Sequence, residues 1–248
     1  MHWVNEILFH FGMRLSRMKG VIRPPSDFMA AYRRNLEELK RDPNEFRVFK
    51  DLQYDVGAHP ESYVEGECMF AARQIAAVKP DSILDIGSYR HFVLGLLAHF
   101  DVTTVDVRGR APISAKETVV TCDAKKLSIP DHAFDVVLSL STLEHLGLAR
   151  YGDDFDFEAD RKGLREMARV LKPGGHLILT TIITRAEPSV GFNAHRIYSR
   201  EMLRERLLDL TCIEEAFYSV ALQRFCSFDQ ITTAPQAWDV YCGCWKKP

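Results

Sequence analysis

The chain has 248 residues, 46% of them hydrophobic and 27% charged, and its 32 Lys and Arg against 34 Asp and Glu leave a formal net charge of -2. These proportions exclude a largely disordered, collagen-like or low-complexity chain. The near-neutral balance excludes a general nucleic-acid binder, which needs a large basic surplus.

Residues 3–18 read as an amphipathic helix, with Val4, Ile7, Leu8, Phe11 and Leu15 on one face and Arg14, Arg17 and Lys19 at its C-terminal end. Such a helix suits packing on the domain as a brace. Its aromatic and basic residues also suit contact with a membrane surface or a partner. Glu6 interrupts the N-terminal apolar stretch and no basic residues precede it, so a signal peptide is not expected. Pro24-Pro25 ends this helix, and Ser26 is expected to cap a second one reaching Lys40. Gly57–Tyr63 reads as a loop and Glu61–Val78 as a helix ended by Lys79-Pro80.

From Ser82 the pattern alternates. Strands are expected at Ser82–Gly87, Val102–Asp106, Thr118–Asp123, Phe134–Leu140 and His176–Ile183. Helices are expected at His91–Phe100 and Arg161–Leu171, the second closed by Lys172-Pro173-Gly174-Gly175. Ser199 caps a helix to Leu210, and strands near Ile213–Ala221 and Trp238–Trp245 follow. Continuous apolar strands alternating with helices imply a parallel α/β sheet covered on both faces. The expected division is a helical arm over 1–60 and one α/β domain over 61–248. No apolar stretch approaches the ~20 residues of a membrane span. The six cysteines form no CxxC pair, and several lie in apolar runs. That usage points to free thiols and a cytoplasmic setting.

Open parallel sheets bind ligands at the carboxyl ends of their strands, where strand order reverses. Three expected strands end in acids: Asp85, Asp106 and Asp123. Gly87 permits close backbone approach after the first. Asp106 can accept hydrogen bonds from both ribose hydroxyls of a nucleoside, and Asp123 one from an exocyclic amine. Glu144 and His145 follow the fourth strand, and His195-Arg196 lies in a loop above the same edge. His145 is the first candidate base, because imidazole titrates near neutrality. The acidic run Asp153–Asp160 reads as a solvated lead into the next helix, and no metal site is expected. Tyr63 and Tyr151 are candidates to line an acceptor pocket.

This ordered set resembles the class I S-adenosylmethionine-dependent methyltransferases. Ser82–Ser88 is similar to that family's first motif, Val102–Asp106 to its acidic second strand and Val120–Ala124 to its adenine-contacting turn. Phe134–Leu146 and the "LKPGG" within Arg165–Thr180 are similar to its later motifs. The resemblance covers about residues 61–210 and extends to a poorly characterised methyltransferase-like subfamily over Ser139–Gly152 and Phe192–Ser199. It implies a Rossmann-like seven-stranded sheet with the last strand antiparallel. It also implies cofactor contacts at Asp85, Gly87, Ser88, Asp106, Asp123, Ala124 and Ser139, the last near the methionine part. Catalytic work would fall to Glu144, His145 and His195, and the acceptor would be a small molecule, with O-methylation of a sugar or glycan precursor as the expectation. One departure stands out: Ser88-Tyr89-Arg90-His91-Phe92 replaces the family's second and third glycines. It keeps two alternatives open, a fold retained for binding or scaffolding without catalysis and another nucleoside-using enzyme such as an aminopropyl transferase.

Overall fold

The computed structural model describes residues 24–41, 48, 52, 62–151, 154–192 and 194–248. The chain divides into two compact units, Met1–Pro60 and Glu61–Pro248. In the first, α1 spans Ser26–Arg41, with Asp27 in its first turn and Lys40 and Arg41 in its last, as the helix dipole favours. The helix expected over 3–18 lies outside the described residues.

The second unit opens with α2, Tyr63–Val78, capped by the Ser62 hydroxyl, which accepts from the Val64 amide at 3.2 Å. Lys79, in the left-handed region at φ 52°, closes the helix and donates its amide to the Ile75 carbonyl. The strands β1 (Ile83–Ile86), β2 (Val102–Asp106) and β3 (Glu117–Thr121) follow, with the short α3 (Arg90–Leu96) after β1. Next come β4 (Phe134–Leu140), a single 3-10 turn at Leu143–His145, α4 (Ala159–Val170) and β5 (Leu171–Ile183). A small hairpin of β6 (Ser189–Gly191) and β7 (His195–Ile197) precedes α5 (Arg200–Arg206). The chain ends with β8 (Thr211–Ser219), β9 (Arg224–Cys226) and β10 (Asp239–Lys246).

The main sheet runs β3-β2-β1-β4-β5-β10-β8-β9. Its first five strands are parallel, and β10 is antiparallel to both β5 and β8. The last strand is therefore antiparallel, as the resemblance implied, but the sheet has eight strands rather than seven. The extra one is β9, which turns back along β8 and pairs Phe217 with Cys226 and Ser219 with Arg224. It covers a strand edge that would otherwise present unpaired amides and carbonyls. Three residues carry no readable periodicity. A second difference lies at the "LKPGG" turn, which forms the start of β5 instead of a loop before it. Its residues bulge outward between the pairs Phe134–Leu171 and Val136–His176, with Gly174 at φ +79°.

Successive residues of the central strands face opposite layers. Leu84, Val137 and Leu177 pack against Leu164 and Met167 of α4 and Leu203 of α5. Ile83, Val136 and Ile178 pack against Phe70 and Ile75 of α2 and Val93 of α3. Burial on both faces explains the uninterrupted apolar runs. Cys242 and Cys244 sit inside the second layer, where burial raises both thiols and makes them small core hydrophobes.

One buried ion cluster fastens α3 to the β2–β3 connection. Glu117 accepts from Arg90 at 2.5 and 2.9 Å, from Arg110 at 2.7 Å and from the Ile113 amide at 3.0 Å. The Arg90 hydrogen bonds do most to hold its carboxyl far below the carboxylate range, against the opposing effect of burial. Glu117→Gln leaves two half-exposed guanidiniums without their counter-charge and is expected to cost roughly 2–3 kcal/mol. Urea unfolding should show a lower midpoint at unchanged slope; an unmoved midpoint would mean the cluster contributes nothing.

Candidate active site

The strand order reverses beside β1, so the carboxyl ends of β1 and β4 bound the crevice that this topology offers a ligand. Gly87 leaves β1 at φ +67°, and a Cβ there would stand 2.8 Å from the Thr142 methyl group. The Thr142 hydroxyl donates to the Gly87 carbonyl at 2.9 Å. Only glycine serves both the backbone angle and the approach. Ser88, the next residue, is held by its side chain. Its hydroxyl accepts from the Leu140 amide at 3.0 Å, so the side chain ties the loop after β1 to the end of β4. Asp85 is buried, accepts from the Ser88 amide at 3.3 Å, and is pushed by burial up to about 7.

The other acids stand along the same edge. Asp106, at the end of β2, is held by Arg108. The Arg108 amide and Nε donate to Oδ1 at 2.9 and 3.0 Å, and Nη2 donates to Oδ2 at 2.9 Å. Partial burial works against ionisation of Asp106, but the Arg108 hydrogen bonds outweigh it and the carboxyl is lowered. Asp123 accepts from the Lys125 amide at 2.9 Å and lies 3.2 Å from its ammonium. Asp106, Asp123, Ala124, Cys122 and Tyr151 line a narrow, mainly apolar cavity of about 100 Å³. Across Asp106 a wider cavity of about 470 Å³ is lined by Asp85, Ser88, Arg90, Arg108 and Arg110.

A third cavity, about 350 Å³, adjoins these at Gly87, His145 and Tyr151. It collects Glu144, His145 and His195 together with Tyr63, Tyr151 and Trp238. His145 Nδ1 meets the Ala194 carbonyl at 2.5 Å, which assigns the ring proton to Nδ1 and leaves Nε2 as a lone pair. Burial drives the imidazole down to about 4. Glu144 is buried, accepts from the Thr181 hydroxyl at 2.9 Å, and is pushed by burial up to about 8. Its other oxygen is 3.9 Å from His145 Nε2, too far for a hydrogen bond. Both groups are thus driven toward their neutral forms. His195 is also lowered, first by burial and then by Arg150, and its ring stands 6.4 Å from that of Trp238.

Ser139 is the exception among the sequence-derived candidates. It lies fully buried within β4, its hydroxyl has no hydrogen-bond partner, and it faces none of these three cavities. Ser141, one residue past the strand, reaches the third cavity instead. Glu67 of α2 is the residue that sequence reasoning missed. It is fully buried and accepts from the hydroxyls of Tyr89, Ser141 and Thr180, each at 2.6 Å. Its signal was its spacing: Glu67 shares a helical face with Phe70, Ala71 and Gln74, all buried. In the acidic run, Asp160 is spent on Arg206 and Tyr198, and Asp156 on Lys162. Among the described residues no cluster of His, Cys, Asp and Glu could hold a metal ion.

Residues 84–179, from β1 to the middle of β5, match a family described as a methyltransferase domain. Over those residues the chain is similar to that family. No curated protein matches the sequence significantly. Solved structures share the fold. The N-methyltransferase NodS from Bradyrhizobium japonicum WM9, in complex with S-adenosyl-L-homocysteine, is 18% identical, with 74% of this chain and 86% of that chain covered at a TM-score of 0.53. The 1,6-didemethyltoxoflavin-N1-methyltransferase of Burkholderia thailandensis is 17% identical over 94% of each chain, with a TM-score of 0.53. The [4+2]-cyclase SpnF is 18% identical, covering 72% of this chain and 82% of that chain at a TM-score of 0.52. This fold thus also occurs in a protein described by a different chemistry.

The raised carboxyl of Glu144 gives the domain a pH-dependent stability. Its folded-state value is raised to about 8, so its contribution is fully present at acidic pH and is lost as pH rises from the ordinary carboxylate range through 8. Compared with Glu144→Gln, the parent should lose melting temperature steadily over that window. A constant difference between pH 5 and pH 8.5 would show that Glu144 ionises normally.

Proposed function

We propose that this protein transfers a methyl group from S-adenosylmethionine to a small-molecule acceptor. One observation carries the reading: in a chain similar to that family, the acid-lined cavities at the ends of β1–β3 open beside an aromatic one, with Gly87, His145 and Tyr151 in the shared wall. A donor on one side and an acceptor on the other would face each other across Gly87. S-adenosylmethionine supplies an electrophilic sulfonium methyl. The protein's part is to align the acceptor with it and exclude water, and alignment alone accounts for much of such rate enhancements.

The residues present fit the adenosine part. Asp106 is placed to take the ribose hydroxyls and Asp123 the adenine amine, with Ala124, Cys122 and Tyr151 as apolar walls. Asp85, Gly87 and Ser88 approach the methionine part, and Ser141 takes the place expected of Ser139. His145 Nε2 is positioned to accept a hydrogen bond from the acceptor, with Glu144 and His195 completing the wall. The sugar hydroxyl expected from the sequence is one acceptor of this class. The free cysteines suit a reducing, cytoplasmic setting. The scaffold reading draws on the altered first motif and on the engagement of Asp106 by Arg108.

That engagement has a direct consequence. A ribose diol can reach both Asp106 oxygens only after Arg108 leaves them. Asp106→Ala should weaken S-adenosylhomocysteine binding roughly ten-fold or more, the cost of losing hydrogen bonds to a charged group. Arg108→Ala should strengthen it several-fold. Titration calorimetry checks both, and equal affinity in all three proteins would remove Asp106 from the site.

His145→Ala should lower turnover while leaving that affinity intact. Because His145 is held near 4, it stays neutral above about pH 5 and should impose no titration on the rate between pH 6 and 8. A rate that follows an acid limb near the ordinary imidazole value, lost in the variant, would contradict this assignment.

A further inference from the structure

The arginines that line the cavities of the site are Arg90, Arg108, Arg110 and Arg150. Arg90 and Arg110 face the carboxylate of Glu117, and Arg108 faces that of Asp106. Arg150, exposed at the rim of the aromatic cavity, has no carboxylate partner among the described residues. It is nevertheless held in place. Its Nη1 donates to the Ala194 carbonyl at 3.1 Å and stands 3.2 Å from His145 Nδ1, and its guanidinium lies 5.4 Å from the centre of the Tyr151 ring. These contacts leave its Nε–Nη2 edge without an acceptor among the described residues. That edge presents two parallel N–H groups, the fork that fits the two oxygens of a carboxylate.

The rest of the cavity does not oppose a negative charge there. Glu144, the acid in its wall, is pushed by burial up to about 8. His145 and His195 are lowered, again first by burial, and burial raises the hydroxyls of Tyr63 and Tyr89. Glu67, behind the cavity floor, is raised by burial as well and accepts from the hydroxyls of Tyr89, Ser141 and Thr180. The Arg150 charge reaches across the cavity: behind burial, it acts downward on Tyr63, His145 and His195. The hydroxyl of Tyr63 and the indole N–H of Trp238 add uncharged donors to the wall. A single guanidinium matches the single charge of a carboxylate, whereas it leaves a phosphate dianion half neutralised and repels an ammonium.

We propose that the acceptor is a small carboxylic acid with an apolar body, bound through its carboxylate by the Nε–Nη2 edge of Arg150. The proposal rests on the methyl-transfer reading above. The body of the acceptor lies against aromatic walls that packing has already set: Tyr63 meets Trp238 edge to face at 5.3 Å, and His145 meets Tyr151 at 6.2 Å. The carboxylate serves recognition at the rim, and the reacting group lies further in, toward His145 Nε2. Arg150 thereby selects the substrate and fixes which end of it enters the cavity first.

The cofactor's own methionine part also carries a carboxylate, so the test separates the two sources. The full chain is titrated calorimetrically with phenylacetate, phenylacetamide and phenethylamine. It is titrated separately with S-adenosylhomocysteine and with methylthioadenosine, which lacks the amino-acid part. Phenylacetate should bind about ten-fold tighter than phenylacetamide, the worth of one charge-assisted hydrogen bond, with phenethylamine weakest. Added salt should shrink that preference, because the pair lies at the surface. Arg150→Gln should erase it and leave S-adenosylhomocysteine affinity unchanged. Arg150→Lys keeps the charge without the fork and should retain part of the preference.

Phenylacetate binding no tighter than phenylacetamide, or a preference that survives Arg150→Gln, would overturn the proposal. A loss of S-adenosylhomocysteine affinity in Arg150→Gln, with methylthioadenosine unaffected, would assign the fork to the cofactor's carboxylate and overturn it as well. Should the Gln variant fail to fold, a preference insensitive to salt and unchanged in Arg150→Lys would do the same. Failure of the parent to bind S-adenosylhomocysteine, with the carboxylate preference present and lost in Arg150→Gln, would count against the methyl-transfer reading alone.

Discussion

Burying the Glu67 carboxyl, which burial raises and which has no cation beside it among the described residues, is the constraint around which this end of the domain is arranged. A polar group in the interior is tolerated only when its hydrogen-bonding capacity is met. The fold meets it with three hydroxyls from three elements: Tyr89 at the start of α3, Ser141 after β4 and Thr180 within β5. Each of these side chains is thereby held in one orientation. Ser141 is also held in the left-handed backbone region at φ 48°, where its amide donates to both the carbonyl and the hydroxyl oxygen of Thr180. One carboxyl group on α2 thus joins the helix to the sheet and shapes the cavity floor.

The same dryness sets the electrostatics. Asp85 and Glu144 are pushed upward and His145 downward, in each case first by burial. All three shifts favour the uncharged form. Such a site offers hydrogen bonds of fixed direction more than net charge. In a water-poor environment fixed hydrogen-bonding groups act more strongly than they would in solvent. Charged residues lie toward the other side, where Arg90 and Arg110 share one buried carboxylate, that of Glu117, and Arg108 covers Asp106.

The altered first motif has a structural answer. The position after Gly87 holds a serine whose hydroxyl receives the Leu140 amide, so the loop is tied to β4 through a side chain. Side chains at and beside the missing glycines hold the loop: Ser88 to β4, Tyr89, which stands at the second glycine's place, to Glu67, and Arg90 to Glu117. The turn is consequently better anchored than a run of glycines, whose backbone freedom would oppose order.

Much of this was legible in the chain itself. The apolar runs at Val102–Asp106 and Phe134–Leu140 form strands at those bounds, and Ser199 caps its helix through its hydroxyl. The acids of the first three strand ends, and the pair Glu144–His145, do gather at one edge. Periodicity, capping and strand-end acids are local properties, decided by residues a few positions apart. What the tertiary structure alone decided depends on partners far away in sequence. Glu67 reaches Ser141 and Thr180 across 74 and 113 residues, and β9 exists only because β8 offers it an edge. Ser139 and Ser141 differ by two positions, yet one is sealed inside the sheet and the other opens into the cavity, because β4 ends between them. The proton on His145 is placed by the carbonyl of Ala194, 49 residues on. The sequence determined which groups arrive at the edge of the sheet. Folding determined which of their hydrogens are already spent, because only packing brings a donor to its acceptor.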